Sequence, residues 1–224
     1  MRTSLKIEFV YMNIKELLYK ALSIIPLLGV MMGGLCLTSC EETDVVDEYA
    51  NWKARNVEFI DSIAKVAAND TTGKWLRLLS FKLNETDING NTAAYSNENY
   101  IYCYIKEKGA GIEHPLFTDT VFVDYRGRLI PTASYPEGKI FDQSYKGEFN
   151  SATIVPTKFS VGGVIVGWST ALQQMSQGDT WKVYIPANLA YGSSKQTSIP
   201  AHSVLIFNMH LSGIYSIGNS MSKN

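Results

Sequence analysis

The chain has 224 residues, 20 of them basic and 21 acidic, for a formal net charge of −1. That balance excludes the strongly basic surface on which nucleic-acid binding depends. The three histidines, His114, His202 and His210, have no metal-ligand spacing and no paired acid cluster, and give no basis for a metal site.

In chain order, Lys15 and Lys20 precede an apolar run from Ala21 that ends in small residues before Cys40, with Met12 a second candidate start. Basic region, apolar region and small-residue exit are the pattern of a secretory signal. The run is near the length that spans a bilayer, but Pro26 and three glycines interrupt it. Leu37-Thr38-Ser39-Cys40 resembles the bacterial lipoprotein box. The resemblance implies that residues 1–39 are removed and that Cys40 carries lipid, anchoring the protein to a membrane of the cell envelope, the outer rather than the inner. The mature chain would then have 185 residues, 16 basic and 19 acidic, enough for one domain plus an extension. Cys36 leaves with the signal and Cys40 takes lipid, so Cys103 has no disulfide partner. In its apolar, aromatic run Cys103 reads as a small buried hydrophobe.

Residues 40–48 form an acidic tether, in which Glu41 and Glu42 resemble the surface-export signals of some Gram-negative lipoproteins. From Tyr49 to Ala67 apolar residues fall at helical spacing, and Asn69 to Gly73 stop the helix. This helical extension and its following loop, residues 49–99, could pack on the domain or on a second copy, forming a homodimer. Trp75 to Leu83 is a mixed apolar segment, and Asn84 to Asn99 reads as an exposed loop. Tyr100–Ile105, Thr120–Gly127, Lys139–Asp142, Thr180–Ile185 and Ser203–Leu211 read as strands, the second with Val121, Val123 and Tyr125 on one face. Val164-Ile165-Val166-Gly167-Trp168 leads into a short amphipathic run with Ala171, Leu172 and Met175 at helical spacing. The pattern is α+β: an antiparallel sheet wrapped on one short helix.

The order of motifs resembles the FKBP-type peptidyl-prolyl isomerases. The matching pieces are Val123-Asp124-Tyr125-Arg126-Gly127, Gly138 to Ser144, Phe159 to Trp168, Ala171 to Met175, Ile185-Pro186, Leu189-Ala190-Tyr191-Gly192, Ile199-Pro200 and Leu205-Ile206-Phe207. The resemblance places an isomerase domain at residues 100–214 and a tail at 215–224. It implies a curved five- to six-stranded antiparallel sheet around the short helix, and an enzyme that needs no cofactor. It makes Trp168 the floor of a proline pocket, Tyr125, Phe141 and Phe207 its walls, and Val164 and Ile165 its rim, with the Ile165 N–H facing the substrate. Tyr191 would point its hydroxyl at a substrate carbonyl, Asp142 would sit beside the carbonyl of the bond that turns, and Ile199 would close one side. The sequence departs from the family where Thr157 replaces a frequent aromatic, where Leu129 to Lys139 is long, and where Ala201 replaces a frequent proline.

The chemistry asked of such a pocket is simple. Rotation about a peptide bond costs about 18–20 kcal/mol because resonance is lost. No nucleophile or metal is required, only tighter binding of the twisted amide than of the planar one. The twisted form is less dipolar, so a dry aromatic pocket favours it. Asp142, a carboxylate in an otherwise apolar set, is the least core-like member, because a lone buried carboxylate is costly unless hydrogen-bonded. The expected substrates are proline-containing unfolded or nascent exported proteins. The alternative reading is a non-catalytic FKBP-like lipoprotein that only holds proteins.

Overall fold

The computed structural model describes residues 47–86 and 89–216. The signal segment, Cys40 and the tether as far as residue 46 lie outside the described residues, as does the tail from residue 217.

Helix α1 (Trp52–Ala68) starts three residues later than the periodicity from Tyr49 suggests, after a turn capped by Asn51 at φ 51°. Its buried positions are Trp52, Asn56, Ile60 and Ala64, one every fourth residue, so a single stripe is covered. The one polar member is paired twice: Asn56 Nδ2 donates to the Trp52 carbonyl at 2.7 Å and its Oδ1 accepts the Val204 N–H at 2.7 Å. The stripe that could have faced a second copy packs on the domain, within the same hydrophobic core as the sheet. Asp70 then turns the chain, accepting from the Thr72 hydroxyl at 2.6 Å and from the Trp75 N–H at 3.1 Å.

Among the described residues seven strands follow: β1 (Trp75–Leu79), β2 (Tyr100–Glu107), β3 (Thr120–Arg128), β4 (Ile140–Gln143), β5 (Thr157–Ser160), β6 (Thr180–Ile185) and β7 (Leu205–Tyr215). They form one sheet in the order β1-β2-β6-β7-β3-β4, with β5 also on β3, and every pairing is antiparallel. The sheet has seven strands where five to six are expected, and two of them, β1 and β5, are not among the strands read from the sequence. In β1, Trp75, Leu76, Leu78 and Leu79 are all half-buried and so show no alternation to read. Strand β7 runs four residues past Leu211, because a bulge at Ser212 lets Gly213 to Tyr215 keep pairing with the start of β3.

Helix α2 (Val166–Leu172) is buried from Gly167 to Leu172 and lies against β6. A Cβ on Gly167 would stand 2.3 Å from Ile185 Cγ2, so glycine is required for this approach. Cys103 is fully buried, and burial pushes its thiol well above the ordinary range, as suits a small core hydrophobe. His114 and His210 make hydrogen bonds inside the fold, to the Met175 carbonyl and the Thr180 hydroxyl.

Candidate active site

Strand β3 sets the geometry. Its first half pairs with β5 and its second half with β4, and Tyr125 sits between the two pairings. Strand β4 is bulged at Phe141: Gly127 opposes Asp142, and Arg128 opposes Ile140. A bulge re-aims the extra side chain, and Phe141 lies over Gly127, where a Cβ would stand 2.5 Å from its ring and 2.7 Å from that of Phe207. The missing side chain at position 127 is what lets the two walls meet.

The result is a cavity of about 420 Å³ over the first turn of α2. Trp168 is its floor, 4% exposed. Three rings stand edge-on to the indole: Tyr125 at 5.1 Å, Phe159 at 5.2 Å and Phe207 at 5.1 Å between centroids. Phe141 meets Phe207 at 90° and 5.4 Å. Such edge-to-face sets are rigid and favourable beyond their area. Val164 and Ile165, after the 3₁₀ turn Val161–Gly163, line one side of the mouth.

Polar groups gather at the mouth. Tyr125 donates its hydroxyl to Asp142 Oδ2 at 2.8 Å, and the Gln143 N–H donates to Oδ1 at 2.8 Å. Burial, then the hydrogen bond to Asp142 and its negative charge, push the Tyr125 phenol well above its usual range, so it stays a neutral donor. Asp142 itself is exposed rather than buried. The cost of a lone carboxylate in an apolar pocket therefore does not arise, because Asp142 is both hydrated and hydrogen-bonded. Among the described residues the Tyr191 hydroxyl has no hydrogen-bond partner, and Tyr191 is 41% exposed at the rim. The Ile165 carbonyl accepts from Trp168 and Ser169.

The structure thus brings together Tyr125, Phe141, Asp142, Val164, Ile165, Trp168, Tyr191 and Phe207. It does not bring Ile199 to the cavity, which is 7% exposed and belongs to the core beneath its loop. It adds Phe159. The missing aromatic at Thr157 is made good two residues later, where Phe159 closes on Tyr125 and Trp168. The sequence does carry a signal for this, the alternation in Thr157-Lys158-Phe159-Ser160 that puts Thr157 and Phe159 on one face.

Residues 112–212 match the family model of FKBP-type peptidyl-prolyl cis-trans isomerases. These residues are an FKBP-type isomerase domain. The chain is 40% identical over 108 residues to FKBP-type peptidyl-prolyl cis-trans isomerase FkpA of Escherichia coli K12, a match covering 48% of this chain and 35% of that protein. It is 41% identical over 108 residues to outer membrane protein MIP of Legionella longbeachae, covering 48% of this chain and 41% of that one. The crystal structure of FkpA from Escherichia coli has a TM-score of 0.50 and 28% identity, over 74% of this chain and 62% of that one. The chain spans well under half the length of these curated relatives. Helix α1 and strands β1 and β2 precede the FKBP-type family match, yet α1 packs on the FKBP-type core and both strands belong to its sheet.

Proposed function

We propose that this protein is a peptidyl-prolyl cis-trans isomerase that acts on exported, incompletely folded polypeptides, held to a membrane of the cell envelope through lipid on Cys40. The observation that carries the reading is the aromatic cavity floored by Trp168, with Tyr125 and Asp142 joined at its mouth.

The substrate's prolyl ring packs on Trp168 between Tyr125, Phe159 and Phe207. The Ile165 N–H and the Tyr191 hydroxyl hold substrate carbonyls on either side of the prolyl bond, fixing the chain while that bond turns. Asp142 lies beside the carbonyl of the turning bond. The planar amide carries more negative charge on that oxygen than the twisted amide, so a neighbouring carboxylate disfavours the planar form. Tyr125 and the Gln143 N–H hold the carboxylate in place. Each ~1.4 kcal/mol by which the twisted form is preferred is worth tenfold in rate.

The test is prolyl isomerisation of a tetrapeptide by the wild type, Trp168→Ala and Asp142→Ala. Acceleration that drops in both variants, with folding intact by circular dichroism, establishes the pocket as catalytic. No acceleration by folded wild type leaves a binding module. The anchor is tested separately by metabolic labelling with an alkyne fatty acid, which Cys40→Ser should abolish.

A further inference from the structure

A second surface continues from the pocket rim. Gly163 lines the pocket, and a Cβ on its neighbour Gly162 would stand 2.8 Å from the ring of Phe117. Phe117 in turn meets Phe81 at 5.3 Å between centroids. Both rings are open to solvent, Phe117 by 45% and Phe81 by 37%, and Leu116 beside them by 64%. Contiguous exposed apolar side chains of this kind mark interaction sites. The Phe81 N–H donates to Thr170 Oγ1 at 3.3 Å, which fixes this aromatic pair to α2, the helix that carries the pocket floor.

Beyond Phe81 lies a groove of about 330 Å³ between the end of β1 and α2. Leu78, Leu83 and Phe81 supply apolar walls, Gln173 and Gln174 supply amides, and Arg77 and Glu85 supply charges among them. Gln173 Nε2 is bound to the Ser169 carbonyl, and among the described residues the Gln174 side chain has no hydrogen-bond partner. The seven residues of α2 rise about 10 Å, roughly the length of three extended residues. A polypeptide whose proline is in the pocket and whose chain leaves past Gly163 reaches Phe117, then Phe81, then the groove.

We propose that Phe117, Phe81 and this groove are a subsite for the polypeptide flanking the proline, taking an apolar or aromatic side chain some three to five residues away and giving preference to unfolded apolar segments over short peptides. The inference rests on the isomerase reading for its orientation. Phe81 lies before the FKBP-type domain match, so the preference belongs to this chain's own N-terminal part.

The test uses the full chain in detergent, as wild type, Phe81→Asp and Phe81→Leu. The substrates are a tetrapeptide, a dodecapeptide with leucine and phenylalanine three to five residues on both sides of proline, and the same dodecapeptide with serine there. Wild type should favour the apolar dodecapeptide in kcat/KM by about tenfold, a difference the size of one good interface contact. Phe81→Asp should abolish the preference, Phe81→Leu should keep it, and tetrapeptide turnover should be unchanged in both. Equal kcat/KM of wild type for the two dodecapeptides, or a preference that survives in Phe81→Asp, overturns the proposal. If wild type turns over no peptide, the isomerase reading has failed, and fluorescence anisotropy of the labelled dodecapeptides decides instead: selective binding lost in Phe81→Asp supports the subsite, and equal binding overturns it. A wild type that sediments as a dimer and dissociates in Phe81→Asp assigns the face to a second copy and also overturns it.

Discussion

Trp52 donates its indole N–H to Ser203 Oγ at 2.8 Å, tying the first helix to the last loop across 151 residues of chain. Ser203 Oγ passes the bond on to the Pro200 carbonyl at 2.6 Å, and Val204 is held by Asn56. The same loop carries Tyr191, so α1 braces the element that brings this hydroxyl to the pocket rim. Trp52→Ala should lower stability by about 3 kcal/mol as a large buried aromatic, and Trp52→Phe by about 1 kcal/mol for the lost hydrogen bond. Urea midpoints measure both. Because the apolar stripe is buried on the domain, a chain beginning at Gly73 should sediment unchanged in oligomeric state while unfolding earlier. A truncated chain as stable as wild type would show that α1 is not part of the core.

Gly127 predicts a change in function with little change in fold. A methyl group there would meet Phe141 and Phe207 at once, well inside contact distance. Both rings stand at the edge of a cavity and can move into it, so Gly127→Ala should fill the pocket rather than unfold the sheet. Tetrapeptide isomerisation should fall at least about tenfold, with circular dichroism unchanged. Activity equal to wild type would mean that the two walls need not meet for turnover.

Most of the pocket was legible because its residues belong to short motifs whose order is specific: Phe141-Asp142, Val164-Ile165, Gly167-Trp168 and Ala190-Tyr191. What was not legible depended on geometry that spacing does not encode. Ile199 stands beside Pro200 at the expected place in the motif, yet its loop folds it into the core. Phe159 shares a face with Thr157, and spacing alone does not show that only the longer side chain reaches Trp168. Strand β1 has four half-buried apolar residues of five and no period of two, since neighbours cover both of its faces. The exposure of Asp142 follows from the bulge in β4, which is visible only in the pairing register.

Tyr125 makes the alkaline limb of stability informative. Its phenol is raised above the ordinary value of 10.0 by burial and by Asp142. In the unfolded chain the group ionises first, so the folded state holds the proton more tightly. That contribution is complete below pH 10 and is lost as pH rises through the higher folded value. Urea midpoints measured between about pH 9 and pH 11 should therefore fall with pH. Tyr102, Tyr145 and Tyr184 are raised in the same direction by burial, so Tyr125→Phe should make the fall shallower without removing it. Identical slopes in the two proteins would place the Tyr125 hydroxyl in water, away from Asp142.

The approach of α2 to the sheet can be tested as a pair. Gly167 precedes the Trp168 floor, and Ile185 Cγ2, Cδ1 and Cγ1 all lie within 3.0 Å of where its Cβ would be. Ile185 is fully buried and has no open side to move into. Gly167→Ala should cost about 1–3 kcal/mol by overpacking, and should lift the indole enough to lower tetrapeptide turnover. Ile185→Ala alone should cost about 2–5 kcal/mol as a cavity. In combination the new methyl group occupies part of that cavity, so the double variant should be more stable than the sum of the two losses by at least about 1 kcal/mol. Turnover should recover in the double variant if the position of Trp168 is what Gly167 protects. Strict additivity would show that helix and strand relax apart, and that glycine at 167 serves the backbone rather than the contact.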